Sequence, residues 1–263
     1  MGLEVRNATA SYGGPEVLRD LSVGFAGARL TALVGPNGCG KSTLLKAVMG
    51  FVPLARGAVV LDGRPLRGIG RRELARHIAY LPQETYCPDY MTLGELVELA
   101  GYARYSLAGG PSARDRDLFR AALETVGLAD LAHRPVNALS GGQRQRAWIA
   151  MVLAQDARII LMDEPVNHLD MKYQYAVLDL VRRLTRDHGK TVVVVLHDLN
   201  LTTAFADDVV MLRAGAVMAA GPATRTVTAA TVQQTFDLDA DIFDRDGRLI
   251  CLPRMAKADL VPS

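Results

Sequence analysis

The segment from Leu33 to Leu45, LVGPNGCGKSTLL, places a lysine and two hydroxyl groups directly after a glycine-rich turn. Gly35, Gly40, Lys41 and Ser42 match the pattern GxxxxGK[ST], which is typical of loops that bind phosphate. Glycine lets consecutive backbone N–H groups point towards a phosphate, Lys41 can reach the β- and γ-phosphates, and Ser42 can offer its hydroxyl to Mg²⁺. The alternative is a plain turn with a solvated lysine. Because a strand pattern precedes the segment and a helical pattern follows it, we predict a nucleotide site.

Two adjacent carboxylates, Asp163 and Glu164, end the apolar strand pattern IILMDE. Ligands of open α/β sheets bind at the carboxyl ends of the strands. Asp163 is therefore predicted to bind Mg²⁺ through water, because Mg²⁺ keeps much of its hydration. Glu164 is predicted to orient or deprotonate the attacking water. Adjacent acids usually form only a solvated turn, so this prediction depends on the phosphate loop.

The elements that would position these residues alternate between strands and helices. LEVRNATASY and VLRDLSVGF predict two strands joined by the turn GGPE. Further strands are predicted at RLTALVG, GAVVLDG, IAYLPQ, RIILMDEP and TVVVVLHD, and helices at STLLKAVMG, RQRAWIAMVLAQ and YQYAVLDLVRRLTR. This alternation predicts a mainly parallel sheet that is covered on both sides.

The chain between Met91 and Val136 has a different character, because it contains no strand pattern. TLGELVELAGYA and RDRDLFRAALETVGLADL are predicted helices, separated by the loop SLAGGPS. We expect a helical insertion of roughly fifty residues here. After Thr224, one helix and a final hairpin around DRDG are predicted, and no chemistry is assigned to them.

Composition limits the classes of protein that fit. The 263 residues, 49% hydrophobic and 22% charged, suit one folded domain or a domain with an inserted segment. A net charge of +2 is too small to favour nucleic acid or an anionic membrane surface as a partner. Three cysteines without metal-ligand spacing favour reduced thiols in the cytosol. We expect no secretory signal, and no apolar run approaches the ~20 residues of a membrane span.

These motifs, in this order, resemble those of the ATP-binding subunit of an ABC transporter over essentially the whole chain. GPNGCGKST resembles the Walker A motif, IILMDEP the Walker B motif and LSGGQ, from Leu139 to Gln143, the family's signature motif. Gln83 in YLPQ matches the Q-loop glutamine, VNHLD the D-loop and His197 in VLHD the switch histidine. Tyr12 stands where the family has an aromatic residue that stacks on adenine. Each of these last four matches is weak alone, and their combination and order carry the resemblance.

The resemblance implies an α/β fold. It consists of a P-loop NTPase (RecA-like) core with an N-terminal antiparallel β subdomain and an inserted α-helical subdomain. One ABC ATPase domain would cover residues 1–263, with the nucleotide-binding core at 1–86 and 145–263 and the helical subdomain at 87–144. The implied reaction is hydrolysis of ATP to ADP and phosphate, with Mg²⁺ as the second cofactor.

The family's functional positions carry over residue by residue. The residues implied to contact ATP are Tyr12, Gly35, Pro36, Asn37, Gly38, Cys39, Gly40, Lys41, Ser42, Thr43, Ser140, Gly141, Gly142, Gln143 and Asp170. Those implied to bind Mg²⁺, partly through water, are Ser42, Gln83 and Asp163. Those implied to act in hydrolysis are Lys41, Gln83, Glu164 and His197.

The signature motif implies that two copies of the chain act together. In this family SGGQ opens a helix far from the Walker A motif of its own chain, so it can contact only a γ-phosphate that another copy binds. Ser140 and the N–H groups of Gly141 and Gly142 then act in trans, as an arginine finger does elsewhere. The simplest arrangement is a head-to-tail homodimer that closes on ATP and reopens after hydrolysis.

The subfamily that the chain resembles energises the import of ferric siderophores, and haem and cobalamin importers are the alternatives. The implied partners are polytopic membrane permease subunits, which the helical insertion would contact, and indirectly an extracytoplasmic substrate-binding protein. Nucleic acid is not expected. The implied location is the cytoplasmic face of the inner membrane, as a peripheral subunit.

The D-loop departs from the pattern of this subfamily. It has Val166 and Asn167 in VNHLD, where TTHLD is more usual. We expect activity to survive this change, because Lys41, Glu164 and His197 are intact, although coupling between the two sites could be altered.

Three other classes of protein share part of the pattern. A non-transport ABC ATPase of DNA repair or translation usually carries a long coiled coil or two tandem cassettes, and neither pattern is present. A kinase or small GTPase has no role for LSGGQ. An exporter would normally carry or pair with its own membrane segments, and we expect none in this sequence. Co-purification with a polytopic membrane protein separates an importer subunit from the first class.

Overall fold

The computed structural model describes residues 2–105, 109–167 and 169–254. The chain divides into two compact units. The first unit combines residues 1–65 with residues 195–263, and the second consists of residues 66–194. The subdomain boundaries predicted from the sequence stay a prediction, because compactness alone does not test them.

The strands, in chain order, are β1 (Gly2–Ser11), β2 (Glu16–Ala26), β3 (Leu30–Val34), β4 (Leu54–Leu61), β5 (Arg64–Pro65), β6 (Ile78–Leu81), β7 (Ile159–Met162), β8 (Thr191–Val195), β9 (Asp208–Arg213), β10 (Ala216–Pro222), β11 (Ala240–Arg245) and β12 (Arg248–Pro253). The α-helices are α1 (Lys41–Val48), α2 (Arg71–His77), α3 (Leu93–Glu98), α4 (Ala113–Thr125), α5 (Gly141–Ala154), α6 (Met171–Arg186), α7 (Leu199–Phe205), α8 (Ala223–Thr226) and α9 (Ala229–Phe236). Short 3₁₀ turns cover Leu99–Ala103, Ala129–Leu131 and Val136–Ala138.

The first unit contains an antiparallel sheet in the order β2-β1-β4-β5. Leu3 of β1 pairs with Phe25 of β2 on one side and with Leu61 of β4 on the other. Along β2 the side chains of Leu18, Leu21, Val23 and Phe25 are buried and the residues between them are exposed, so the apolar residues form one buried face. The predicted N-terminal antiparallel subdomain is confirmed.

A second set of strands in the first unit leads to the phosphate loop. β3 is wholly buried and pairs in parallel with β9, while β10 lies antiparallel beside β9. At the C-terminal end, β11 and β12 form the predicted hairpin. The side chain of Asn200 on α7 holds this hairpin, because it donates to the Cys251 carbonyl oxygen (3.2 Å) and accepts from the Cys251 N–H (2.8 Å).

The second unit contains parallel strands in the order β8-β7-β6. Ile159 of β7 pairs with Ile78 of β6 and with Thr191 of β8. All residues of β7 and β8 are buried, which explains why their sequences are continuous apolar runs. The apolar stripe of α6, which includes Val177 and Val181, is buried as its helical spacing predicts.

Within the second unit, helices α3, α4 and α5 form a helical part in which α5 packs against both of the others. Each begins with a side-chain cap, from Thr92, Ser112 and Ser140 respectively. Arg104 donates to Asp115 at 2.7 Å. Burial opposes ionisation of Asp115, but hydrogen bonds from Ser112 and Arg104 outweigh it and lower the pKa of this carboxyl. The predicted helical insertion is confirmed.

Several elements were missed by the sequence analysis: α2, α7, α8 and the hairpin of β9 and β10. The three helices have seven residues or fewer, too short to show a periodic pattern. Of the predicted loop SLAGGPS, residues 106–108 lie outside the described residues, and residues 109–112 are in neither helix nor strand. Among the described residues, no helix combines the length and the apolar character needed to cross a bilayer.

Candidate functional site

The phosphate loop lies in the first unit, between β3 and α1. Gly35 has a φ of 152° and Gly40 a φ of 106°, both in the region that favours glycine. A Cβ atom on Gly35 would overlap the carbonyl oxygen of Leu212 and lie 2.8 Å from Sγ of Cys39. The loop therefore passes so close to β9 that only glycine fits at its first position.

Lys41 is buried against this loop, with 5% of its surface exposed. Its Nζ donates to the carbonyl oxygens of Gly35 (2.8 Å) and Pro36 (2.9 Å). No side chain caps the start of α1. A helix N-terminus carries a partial positive charge, so together with the buried ammonium it fits the charge of a polyphosphate.

Two other predicted residues of the first unit lie beside the phosphate loop. Tyr12, just after β1, is 62% exposed, and its hydroxyl lies 3.4 Å from Oγ1 of Thr43. His197 is exposed and follows Leu196, whose N–H donates to the Leu33 carbonyl oxygen (3.1 Å) two residues before the loop. Within the loop and the start of α1, Asn37 and Gly38 are exposed, Pro36 and Ser42 are half-buried, and Cys39 and Thr43 are buried.

Both predicted carboxylates lie in the second unit, at the carboxyl end of β7. Asp163 is only 2% exposed. Its N–H donates to the Leu81 carbonyl oxygen (2.9 Å), and its Oδ2 accepts from the hydroxyl of Tyr80 (3.3 Å). Tyr80 was not predicted from the sequence, because no local pattern marks a contact between residues that are 83 positions apart.

Glu164 is half-buried, and its backbone lies in the left-handed region with a φ of 53°. This conformation costs a non-glycine residue about 1–2 kcal/mol and is concentrated at functional sites. Its Oε2 accepts from Nε2 of Gln83 at 2.7 Å and also from Nδ2 of Asn167. The structure therefore brings Gln83 to Glu164, and it adds Asn167, which the sequence marked only as a departure from the usual D-loop.

The signature residues form the start of α5, also in the second unit. Oγ of Ser140 accepts from the Gln143 N–H (3.3 Å), and Oε1 of Gln143 accepts from the Ser140 N–H (3.0 Å), which is a capping box. Gly142 is buried, and a Cβ there would lie 2.8 Å from Cδ1 of Tyr173. Asp170 caps α6 by accepting from the Tyr173 N–H (3.1 Å). The start of the signature helix thus packs on the first turn of α6.

Known proteins match the same regions of the chain. The family model described as ABC transporter matches residues 18–167. The iron(3+)-hydroxamate import ATP-binding protein FhuC of Bacillus subtilis is 38% identical, over 92% of this chain and 90% of its own. The hemin import ATP-binding protein HmuV of Rhodopseudomonas palustris is 38% identical, over 98% of this chain and 96% of its own. A dimeric, post-hydrolysis structure of the ATP-binding cassette MJ0796 with ADP and Pi has a TM-score of 0.74 and 29% identity, over 84% of this chain and 98% of its own.

These matches extend across most of the chain. The family model covers more than half of it, and both relatives align with at least nine-tenths. The predicted α/β cassette fold, with its phosphate loop and antiparallel sheet, is confirmed by its likeness to the solved cassette. The chain therefore belongs to the ABC transporter family, as an ATP-binding subunit that hydrolyses ATP.

Proposed function

We propose that this ATPase powers the import of ferric siderophores. For ATP hydrolysis, the proposal rests on one observation: the carboxylate of Glu164, at the end of β7, accepts a hydrogen bond from Gln83 at 2.7 Å. Ligands of open α/β sheets bind at this edge, so a half-buried carboxylate here lies where it can activate a water molecule beside the bound nucleotide. The transport part is supported by relatives whose names describe them as import ATP-binding proteins.

In this proposal the first unit binds the nucleotide. The ammonium of Lys41, now held by two loop carbonyl oxygens, binds phosphate oxygens instead. Backbone N–H groups of residues 35–43 bind the remaining phosphate oxygens. Tyr12 stacks on adenine with its largely exposed ring, and the exposed His197 contacts the γ-phosphate.

Mg²⁺ is proposed to bind the hydroxyl of Ser42, the carboxylate of Asp163 and the side chain of Gln83, partly through water. These are the oxygen ligands that Mg²⁺ prefers. Because Nε2 of Gln83 faces Glu164, the amide oxygen of Gln83 is the atom left to serve as a ligand. When bound, the metal neutralises charge on the phosphates, while Glu164 orients the attacking water.

A head-to-tail homodimer would complete each nucleotide site. Ser140 and Gly141 are exposed at the N-terminus of α5, where hydroxyl and N–H donors can meet a γ-phosphate held by a second copy. Shifting a dimer from 1:99 to 99:1 closed requires about 5.5 kcal/mol. Hydrogen bonds to a charged group contribute roughly 1.5–3 kcal/mol each, so two or three at each of the two sites are enough. The dimeric state of the solved cassette supports this arrangement.

The permease subunits are proposed to contact the helical part of the second unit. A groove of about 360 Å³ lies between this part and α2, lined in part by Arg71 and Arg72 of α2 and by Met151 and Gln155. Leu99 and Tyr102 also line it, and they are 53% and 76% exposed. Exposed apolar side chains beside basic ones suit a protein partner. The chain would then be a peripheral subunit at the cytoplasmic face of the inner membrane, served indirectly by an extracytoplasmic substrate-binding protein.

The cargo can be tested by uptake measurements. Labelled ferric siderophore, haem and cobalamin are supplied to cells that have the chain, lack it, or carry Glu164→Gln. In cells that lack the chain or carry Glu164→Gln, we expect uptake of the ferric siderophore to fall and uptake of haem and cobalamin to stay unchanged. A selective fall in haem or cobalamin uptake would replace the proposed cargo. Unchanged uptake of all three, with no polytopic membrane protein co-purifying, would favour a non-transport ABC ATPase.

A further inference from the structure

We propose that Asn167 is a positioning residue for ATP hydrolysis: its side-chain amide holds the carboxylate of Glu164 in place together with Gln83. This inference rests on the proposed role of Glu164 in activating water. It gives a function to the position at which the D-loop departs from its usual sequence.

The contact itself fixes the orientation of both amides. Nδ2 of Asn167 and Nε2 of Gln83 donate to the same oxygen, Oε2 of Glu164. An ionised carboxylate only accepts hydrogen bonds, so each amide must present its NH₂ group and not its oxygen. Two donors that arrive from different loops, after β6 and after β7, define the direction of the carboxylate better than one.

The backbone around Asn167 is itself held in place. The Asn167 N–H donates to the Glu164 carbonyl oxygen (3.3 Å), which closes a turn between the two residues. Val166 is buried, and its carbonyl oxygen accepts from the Leu169 N–H (3.4 Å) and from Nε2 of Gln174 on α6 (3.5 Å). The amide of Asn167 is therefore presented to Glu164 from a fixed turn. A threonine at this position, as in the usual motif, has a shorter side chain and lacks an amide donor.

Substitution of Asn167 should separate turnover from binding. In purified full-length chain with Mg-ATP, we expect Asn167→Ala to lower kcat about tenfold, the loss typical of one hydrogen bond to a charged group. KM for ATP should stay within about twofold, because Asn167 is not among the residues proposed to contact the nucleotide. Asn167→Asp keeps the shape but adds a negative charge, and should lose more. Asn167→Thr keeps a donor and should lose less than the alanine variant.

A matched control removes a similar hydrogen bond elsewhere. Nδ2 of Asn7 on β1 donates to Oδ1 of Asp20 on β2 (3.1 Å), at an exposed position of the antiparallel sheet. Asn7→Ala should leave kcat at the parental value. A comparable fall in kcat for Asn7→Ala and Asn167→Ala would show that the loss is a general effect on folding, and would overturn the proposal.

The Glu164→Gln background gives the decisive comparison. If Asn167 acts by positioning the carboxylate, Asn167→Ala should not lower the residual turnover of Glu164→Gln any further, because no carboxylate remains to be positioned. A further fall of tenfold overturns the inference, as does a kcat for folded Asn167→Ala that equals or exceeds the parent. If Glu164→Gln itself keeps parental turnover, it is the proposed function that fails.

Discussion

The phosphate loop and the carboxylate turn, residues 163–167, are held in place in different ways. In the phosphate loop the backbone sets the geometry, because Gly35 has no room for a Cβ and Lys41 is held by backbone carbonyl oxygens six or fewer positions away. In the carboxylate turn, Glu164 is held by the side chains of Asn167 and of Gln83, which is 81 positions distant. A site shaped by the backbone is recognisable as a motif, whereas a site held by side chains can differ between relatives that share the fold.

This difference predicts a division of effects: changes in the phosphate loop should alter binding, and changes in the carboxylate turn should alter turnover. The largest effect is expected for Glu164→Gln, which should lower kcat by about 10³-fold, within the range for loss of a general base. ATP affinity should remain, and an ATP-bound dimer should accumulate, detectable by size-exclusion chromatography. The exposed Glu124 provides a control, since Glu124→Gln should change neither. Parental turnover in Glu164→Gln would remove this residue from the role of base.

The next largest effect is expected at Lys41. Lys41→Ala removes a buried positive charge from the loop, so ATP should bind about 100-fold more weakly, as for the loss of about 3 kcal/mol. Titration with a fluorescent ATP analogue measures this. Lys46→Ala, on the last turn of the same helix, is the matched control and should keep the parental affinity. An unchanged affinity in Lys41→Ala would contradict the proposed phosphate contacts.

Backbone control of the loop can be tested with two glycines. Gly35→Ala places a methyl group onto the Leu212 carbonyl oxygen and should reduce the free energy of unfolding by about 3 kcal/mol. Gly38 also has a positive φ, of 74°, but a Cβ there would meet nothing within 4 Å. Gly38→Ala should therefore lower the free energy of unfolding by only about 1 kcal/mol, through backbone strain. Denaturant unfolding compares them. Equal losses would mean that the close approach to β9 does not shape the loop.

The same contrast explains what could be predicted from the sequence. The phosphate loop, the apolar strands β3, β7 and β8 and the helix α5 were predicted because their signals are local: glycine spacing, continuous apolar runs and the segment RQRAWIAMVLAQ after the signature motif. The contacts of Tyr80, Asn167 and Tyr173 were missed, because each depends on side chains brought together by the fold. Helices α2 and α7 were too short to show a period.

A smaller effect on binding is expected at Tyr12. If its ring stacks on adenine, Tyr12→Ala should raise KM for ATP about tenfold, since stacking on a base contributes roughly 1–3 kcal/mol. Tyr12→Phe keeps the ring and loses only the 3.4 Å contact with Thr43, so its KM should match the parent. An equal rise in both variants would assign the effect to the hydroxyl, and no rise in either would remove Tyr12 from the adenine site.

The smallest expected signal tests whether the phosphate loop and the signature motif of one nucleotide site come from different copies of the chain. Lys41→Ala disables the phosphate loop and Ser140→Arg disables the signature motif, so each variant alone should be inactive. In an equal mixture about half of the dimers contain both variants, and each of these holds one intact composite site of two. The mixture should then regain about a quarter of the parental ATPase rate, if one intact site is sufficient. No recovery, where exchange of labelled subunits has been demonstrated, would mean that either both sites must be intact or the signature motif does not act in trans. An equal mixture of Ser140→Arg with wild-type chain decides between these two, because its heterodimers hold one intact site in either case. About half of the parental rate would show that one intact site is sufficient, so the missing recovery would rule out trans action. About a quarter, from wild-type dimers alone, would show that both sites must be intact.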